Sequence, residues 1–207
     1  MIVRPDEFSP RDFYRILVNA VAPRPIAWVS TISASGHQNL APFSFFNVVC
    51  ADPPLLGIST ALRQGESGHE PKDTLHNIRE TREFVINVVT YDLAEPMNLT
   101  GGEYHASVDE FEIAQLATAP SSIVRPPRVA RSPINFECKL HTILDFGTDE
   151  APGGSFIVGE IVSVHIEDTV MKQGKIDSAA LDLIGRMGGS DYCRTAERFA
   201  LERPRVK

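Results

Sequence analysis

The sequence predicts a mainly β protein: an antiparallel barrel with helices confined to its ends and insertions. Three observations carry this. About six stretches read as strands, at 26–33, 41–49, 55–60, 84–89, 135–146 and 156–166. Turn signals separate several of them: Ser35-Gly36, Asp52-Pro53-Pro54 and APGGS at 151–155. The helical patterns are short and do not alternate regularly with strands, so the strands follow in hairpin order.

Taken in order, the chain begins with a helix. Ser9 can cap it, Pro10 suits its first position, and Asp12 stands where a capping box wants an acceptor. Phe13, Ile16 and Leu17 form its apolar stripe, and Pro23 and Pro25 end it. Residues 26–33 read as a buried strand that carries the chain's one Trp, Trp28, beside Ser30 and Thr31. Residues 41–49 read as the returning strand, with Pro42 at an edge or irregular position. A third strand, 55–60, leads to the polar loop RQGESGHEPKD at 63–73. Asp73 or Thr74 can cap the next helix, which turns Leu75 and Ile78 inward. After the apolar run 84–89, Asp92 and Glu95 resemble a capping box, and Gly101-Gly102 closes that helix. Residues 103–131 read as a polar, proline-rich excursion with one helical turn near Phe111.

Residues 135–146 alternate, with Phe136, Cys138, Leu140, Leu144 and Phe146 on one face and Glu137, Lys139, His141 and Asp145 on the other. Residues 156–166 form a long Val- and Ile-rich strand. Gly188-Gly189 and a short helical tail finish the chain. The expected organisation is a single domain over residues 1–207, with an N-terminal helix and a C-terminal tail.

Composition excludes several functions. Of 207 residues, 43% are hydrophobic and 23% charged, which is ordinary globular usage. A net charge of −7 argues against a nucleic-acid partner and against anionic lipid. No apolar run is long enough to span a membrane, and the N-terminus lacks the apolar core of a signal peptide. Cys50, Cys138 and Cys193 form no CxxC pair, which suggests neither zinc nor a disulfide framework and fits a cytoplasmic location. His37, His69, His76, His105, His141 and His165 show no metal-ligand spacing, so no metal is expected. The Rossmann fingerprint, the phosphate loop, H-E-x-x-H and G-x-S-x-G are all missing.

The stretches RPIAWVST at 24–31, NLAPFSFFN at 39–47 and DPP at 52–54 together resemble the flavin reductase-like family. KDTLHNIRETREFVINVV at 72–89, DEFEIAQL at 109–116 and GRMGGSDYC at 185–193 resemble its later blocks, in the family's order. The resemblance implies a split β-barrel of Greek-key character that binds FMN, usually as a homodimer with the flavin near the interface. It implies an oxidoreductase in which NAD(P)H passes a hydride to flavin N5. The reduced flavin then serves an acceptor or a partner such as a monooxygenase or electron-transfer protein.

The same resemblance names the cofactor-binding candidates. Lys72 is the cation for the FMN phosphate, with Thr74 and the helix N-terminus behind it and Ser59 as a further contact. Ser30 and Thr31 offer hydroxyls to phosphate or ribityl oxygens. Backbone N–H groups around Ala41, Phe43 and Ser44 offer donors to the isoalloxazine edge, and Pro42 shapes that segment. Trp28 is either a flavin-side aromatic or a core residue. Arg186 and Tyr192 either approach the flavin or the interface, or simply pack. No side chain is singled out as catalytic, because the flavin carries the chemistry. Two rival readings share the barrel: a flavoredoxin-like electron carrier without NAD(P)H activity, and a non-enzymatic flavin-binding protein.

Overall fold

The computed structural model describes residues 1–65, 68–147 and 152–205. Helix α1 (Pro10–Ala20) starts as its sequence dictates: Ser9 Oγ accepts from the Asp12 N–H at 3.2 Å. Strands β1 (Ala27–Ile32), β2 (Gln38–Phe43), β3 (Phe46–Ala51) and β4 (Pro54–Ala61) follow, then a small hairpin of β5 (Arg63–Gly65) and β6 (Gly68–Glu70). Helix α2 (Asp73–Thr81), strand β7 (Glu83–Val88) and the short helices α3 (Ala94–Leu99) and α4 (Glu110–Ile113) come next. Beyond them lie the pair β8 (Thr118–Ala119) and β9 (Arg128–Val129) and the long strands β10 (Ile134–Gly147) and β11 (Pro152–Ile166). The pair β12 (Met171–Lys172) and β13 (Lys175–Ile176), helix α5 (Ser178–Leu181), and the pair β14 (Ile184–Arg186) and β15 (Tyr192–Arg194) complete the chain. Among the described residues no helix is long and apolar enough to cross a membrane.

Seven strands form one antiparallel sheet in the order β2-β1-β7-β10-β11-β4-β3. Its two edges, β2 and β3, are consecutive in the chain, with only Ser44 and Phe45 between them. Strands lie about 4.8 Å apart, so a flat seven-stranded sheet would separate its edges by roughly 29 Å. The step from Phe43 to Phe46 spans at most about 11 Å. The sheet is therefore rolled until its edges meet at one corner, where the Ser59 N–H donates to Phe45 O at 2.8 Å. The edges join there without pairing along their length, which makes the barrel split. The strand expected at 41–49 is thus two strands on opposite edges, because the chain turns the corner at Ser44-Phe45.

Pro42 is accommodated for the same reason. Leu40 N–H points outward, to Glu110 Oε2 at 3.0 Å. Alternation then turns Ala41 and Phe43 toward β1 and position 42 outward, where a missing N–H breaks no ladder.

Two cores sandwich β1. Ala27 and Val29 point into the barrel with Phe43, Ile58, Phe84 and Ile157, and Leu75 and Ile78 of α2 join them. Trp28 and Leu40 point outward under Met97 and Phe111. Burial on both faces explains why this strand reads as buried despite Ser30 and Thr31. A Cβ at Gly159 would stand 2.3 Å from the Phe84 ring, so the interior cluster needs glycine there.

Elsewhere the structure corrects the expected pattern. A bulge at His141 of β10 moves Ile143, rather than Leu144, to the core face. Glu137, expected on the polar face, is fully buried, while Leu144 and Phe146 are exposed. No capping box forms at Asp92. Its carboxylate serves Thr90 and Arg131, and α3 starts at Ala94 without a side-chain cap. Lys72, rather than Asp73 or Thr74, is the N-cap of α2. The loop at 63–73 contains the β5/β6 hairpin, although residues 66 and 67 lie outside the described residues. So do 148–151, where the APGGS turn begins. The tail from 195 to 205 is irregular, not helical.

The excursion at 103–131 is tied to the barrel through buried polar groups. Glu137 accepts the N–H groups of Ser122, Ile123 and Val124 at 2.7, 2.7 and 3.0 Å and bonds His165 at 2.5 Å. Ser30 Oγ donates to Pro127 O, and Val129 N–H donates to Asn87 Oδ1. Burial alone would push the Glu137 carboxyl up. The Ser122 N–H, His165 and the two further N–H donors outweigh it and hold the group down at about 2.

Candidate functional site: a cleft and a recess joined at Pro42

The corner between β2 and β3 borders an open cleft of about 880 Å³. Its walls come from α1, the chain before β1, the β2 end, the start of the Gly101 turn and the β14–β15 hairpin. Pro42, Phe43 and Ser44 line it from one side and Tyr14, Arg186 and Tyr192 from others. The volume falls in the range of small-molecule pockets.

On the other side of Pro42 lies a narrower recess of about 50 Å³, room for roughly four waters. Lys72, Arg63, Thr74 and Tyr104 line it, and Pro42 and Gly101 belong to both cavities. A Cβ at Gly101 would come 3.2 Å from Asn98 O and 3.5 Å from Pro42 Cγ, so this seam is tightly packed. Lys72 Nζ lies 5.8 Å from the centroid of the Phe43 ring, which links the two cavities.

The candidates divide by location. Lys72, Thr74, Ala41 and Pro42 line the recess; Pro42, Phe43, Ser44, Arg186 and Tyr192 line the cleft. Trp28 lines neither. It is fully buried, and its indole N–H donates to Thr100 Oγ1 at 2.8 Å. Ser30 and Thr31 are also fully buried, with their hydroxyls donating to Pro127 O and Asn39 Oδ1. Thr74 Oγ1 likewise donates to Asn39 Oδ1, at 2.9 Å. Ser59 borders neither cavity and is held by its N–H to Phe45 at the corner. The ladder geometry commits the N–H groups of Ala41 and Phe43 toward β1, and Ser44 lies past the last pair of that ladder.

Several lining residues carry no signal in the sequence. Arg24 opens the motif RPIAWVST but carries no signal of its own. It is 6% exposed, and its guanidinium donates to Val18 O, Val21 O and Met187 O at 2.5–2.7 Å and to Ser44 Oγ at 3.4 Å. Arg63 faces Asp73 with two contacts of 2.8 and 3.1 Å. Glu110 borders the recess, and burial raises its carboxyl against the N–H of Leu40 and the amide of Asn39. Only folding brings these groups to Pro42.

The donor set fits a flavin mononucleotide. The first N–H groups of any helix lack intrahelical acceptors, and α2 begins at Lys72 with no side-chain cap. Three carboxylates, Asp73, Glu103 and Glu110, also border the recess; Asp73 is paired with Arg63, and Glu110 accepts from the Leu40 N–H and the Asn39 amide. Lys72 then adds a cation where the recess meets Phe43. Among the described residues no group of three His, Cys, Asp or Glu is arranged to hold a metal.

Fold and site together define a class: a split-barrel protein with a narrow polar recess beside a cleft lined by Tyr14 and Tyr192. Residues 20–180 match the flavin reductase like domain, and the chain belongs to that family. It is 38% identical to an uncharacterized protein of Halalkalibacterium halodurans over 207 residues, covering 100% of this chain and 98% of that one. Among solved structures it is similar to nitrilotriacetate monooxygenase component B from Bacillus cereus, with a TM-score of 0.91, 31% identity, and 97% and 98% of the two chains covered. It is also similar to 2-nitrobenzoate 2-nitroreductase of Pseudomonas fluorescens, with a TM-score of 0.87, 32% identity, and 99% and 96% covered.

Proposed function

We propose that this chain binds FMN and acts as an NAD(P)H-dependent flavin oxidoreductase. The observation that carries the reading is the junction at Pro42, where a recess suited to one phosphate adjoins a cleft suited to flat rings. Bound FMN would supply the redox chemistry by accepting a hydride from a nicotinamide.

The chain's own residues bind and orient. Lys72 and the first turn of α2 hold the phosphate, and Arg63 keeps Asp73 from opposing it. The segment from Ala41 to Ser44 supports the ring system, with Pro42 fixing its shape. Arg24 braces Ser44 from below. Tyr192, covered by the Arg186 guanidinium at 4.4 Å, forms the opposite wall.

Likeness to a monooxygenase component supports a partner protein that receives the electrons. A homodimer belongs to the same reading. Tyr14 stacks on Phe45 at 6.3 Å, and Leu17, Val48 and Val49 extend an exposed apolar surface beside the cleft.

Calorimetry with FMN, FAD and riboflavin tests the cofactor. FMN is expected to bind at least as tightly as FAD and more tightly than riboflavin. Equal binding of FMN and riboflavin would remove the phosphate from the recess.

A further inference from the structure

One wall of the recess is a buried hydrogen-bonded chain. Glu110, Asn39 and Thr74 line it at 6%, 8% and 1% exposure. The Asn39 amide is the hub. Its Nδ2 donates to Glu110 Oε1 at 2.8 Å, and its Oδ1 accepts from Thr74 Oγ1 at 2.9 Å and Thr31 Oγ1 at 3.3 Å. Asn77 Nδ2 donates to Thr31 Oγ1 at 3.0 Å, and the Leu40 N–H donates to Glu110 Oε2 at 3.0 Å. A carboxylate only accepts, so the charge on Glu110 sets the polarity of the whole chain. With Thr74 donating to Asn39, its hydroxyl has only lone pairs to show to an anion in the recess.

A proton on Glu110 reverses that polarity. Oε1–H then donates to Asn39 Oδ1 once the amide turns over, and Asn39 Nδ2 donates to Thr74 and Thr31. The Asn77 amide turns likewise, so that Thr31 donates to Asn77 Oδ1. Amide oxygen and nitrogen are nearly equal in shape, so both turns preserve the packing. The Thr74 proton is left to point into the recess, and no member of the buried network loses its partner.

The surroundings favour such a change. Burial raises the Glu110 carboxyl against the Leu40 N–H and the Asn39 amide, and Asp73 raises it further. The other titratable groups bordering the recess are Arg63, paired with Asp73, and Lys72, Glu103 and Tyr104. On Glu110's own helix, the neighbouring Asp109 accepts the Phe111 N–H and Glu112 is exposed. A phosphate dianion beside Lys72 adds a negative charge near Glu110 and favours its neutral form.

We propose that Glu110 and Asn39 form a proton-linked relay: when a phosphate monoester enters the recess, Glu110 takes up a proton from solvent and Thr74 becomes a donor to the phosphate. Glu110 acts through Asn39 and is a positioning residue. The assignment of the monoester to FMN rests on the flavin reading.

The experiment is calorimetry of FMN and riboflavin from about pH 5 to about 9, in buffers of different ionisation enthalpy, which counts the protons taken up on binding. The phosphate's own second proton, lost near about pH 6, contributes alike in every variant. Glu110→Gln fixes the reversed polarity, with Nε2 donating to Asn39 and Oε1 accepting from Leu40. Relative to this variant, wild type should take up as much as about one extra proton with FMN and none with riboflavin. Bound phosphate raises the carboxyl, so wild-type FMN affinity relative to Glu110→Gln should fall by about tenfold as pH rises between the free and bound values. Thr74→Val should weaken FMN by about tenfold and leave riboflavin unchanged, and Thr74→Ser should restore it. Preference for FMN over riboflavin with equal proton counts in wild type and Glu110→Gln overturns the relay and leaves the flavin reading standing. Full FMN affinity in Thr74→Val overturns the relay as well. Equal affinities for FMN and riboflavin fail the phosphate reading and the relay with it. If no flavin binds, the flavin reading fails, and inorganic phosphate titrated in the same way decides the relay: Glu110-dependent uptake supports it, and no binding or no uptake overturns it.

Discussion

Lys72 does two things at one position. Its backbone starts α2, and its side chain brings a cation to the recess beside Phe43. Neither role is structural for the core, since Leu75 and Ile78 anchor the helix. Lys72→Ala should therefore leave the fold intact and weaken FMN by about ten- to hundredfold, the value of one charge-assisted hydrogen bond. Riboflavin should bind wild type and variant equally. Calorimetry of both ligands on both proteins decides it: a parallel loss for riboflavin would make Lys72 a residue that shapes the pocket. Thr31 and Thr74 show how folding commits hydroxyl groups. Thr31 reads as a partner for phosphate or ribityl oxygens and Thr74 as a phosphate contact, and both donate to Asn39 Oδ1 in a buried network with Asn77 and Glu110. That network depends on α2, β2 and α4 meeting, and no spacing in the sequence reports it.

At the scale of elements, local chemistry was legible and tertiary exceptions were not. The cap at Ser9, the burial of 26–33 and the helical turn near Phe111 follow from residues within a few positions of each other. The burial of Glu137 does not, because the excursion folds over the polar face of β10, and neither does the bulge at His141, which arises from pairing with β11. This carboxylate pins the excursion to the barrel, so acid should loosen that link. The Glu137 pKa is lowered from an ordinary 4.5 to about 2. Its stabilisation is thus complete above about 4.5 and lost as pH falls toward about 2. Glu137→Gln turns one acceptor into a donor facing N–H groups and should cost roughly 1–3 kcal/mol at neutral pH. Urea midpoints measured against pH should fall through that window in wild type and be flatter in the variant. Parallel curves would show that the acid dependence comes from other carboxylates.

For the whole molecule, the rolled sheet explains why the site lies where it does. Joining edges β2 and β3 at Ser44-Phe45 exposes a corner, and α1, α3 and the β14–β15 hairpin surround it. The sequence motif at 39–47 marked this corner, but its partners Arg24, Arg186 and Lys72 arrive from distant segments. The same corner presents Tyr14, Phe45, Val48 and Val49 to solvent, at 42–66% exposure, in one chain. Light scattering should then give about twice the chain mass of 22.8 kDa, with or without FMN. A stable monomer that binds FMN fully would separate the site from any dimer contact.

The central claim is hydride transfer from a nicotinamide to flavin held at Pro42. It is tested most directly by adding NADH, and separately NADPH, to the FMN-loaded protein without oxygen and following the flavin's visible absorbance. The absorbance should bleach with at least one of the two, more slowly when deuterium replaces the transferred hydrogen, and return on admitting oxygen. Bound FMN that keeps its full absorbance with both nucleotides, yet bleaches with dithionite, would contradict the claim and make the protein a flavin carrier reduced by another donor.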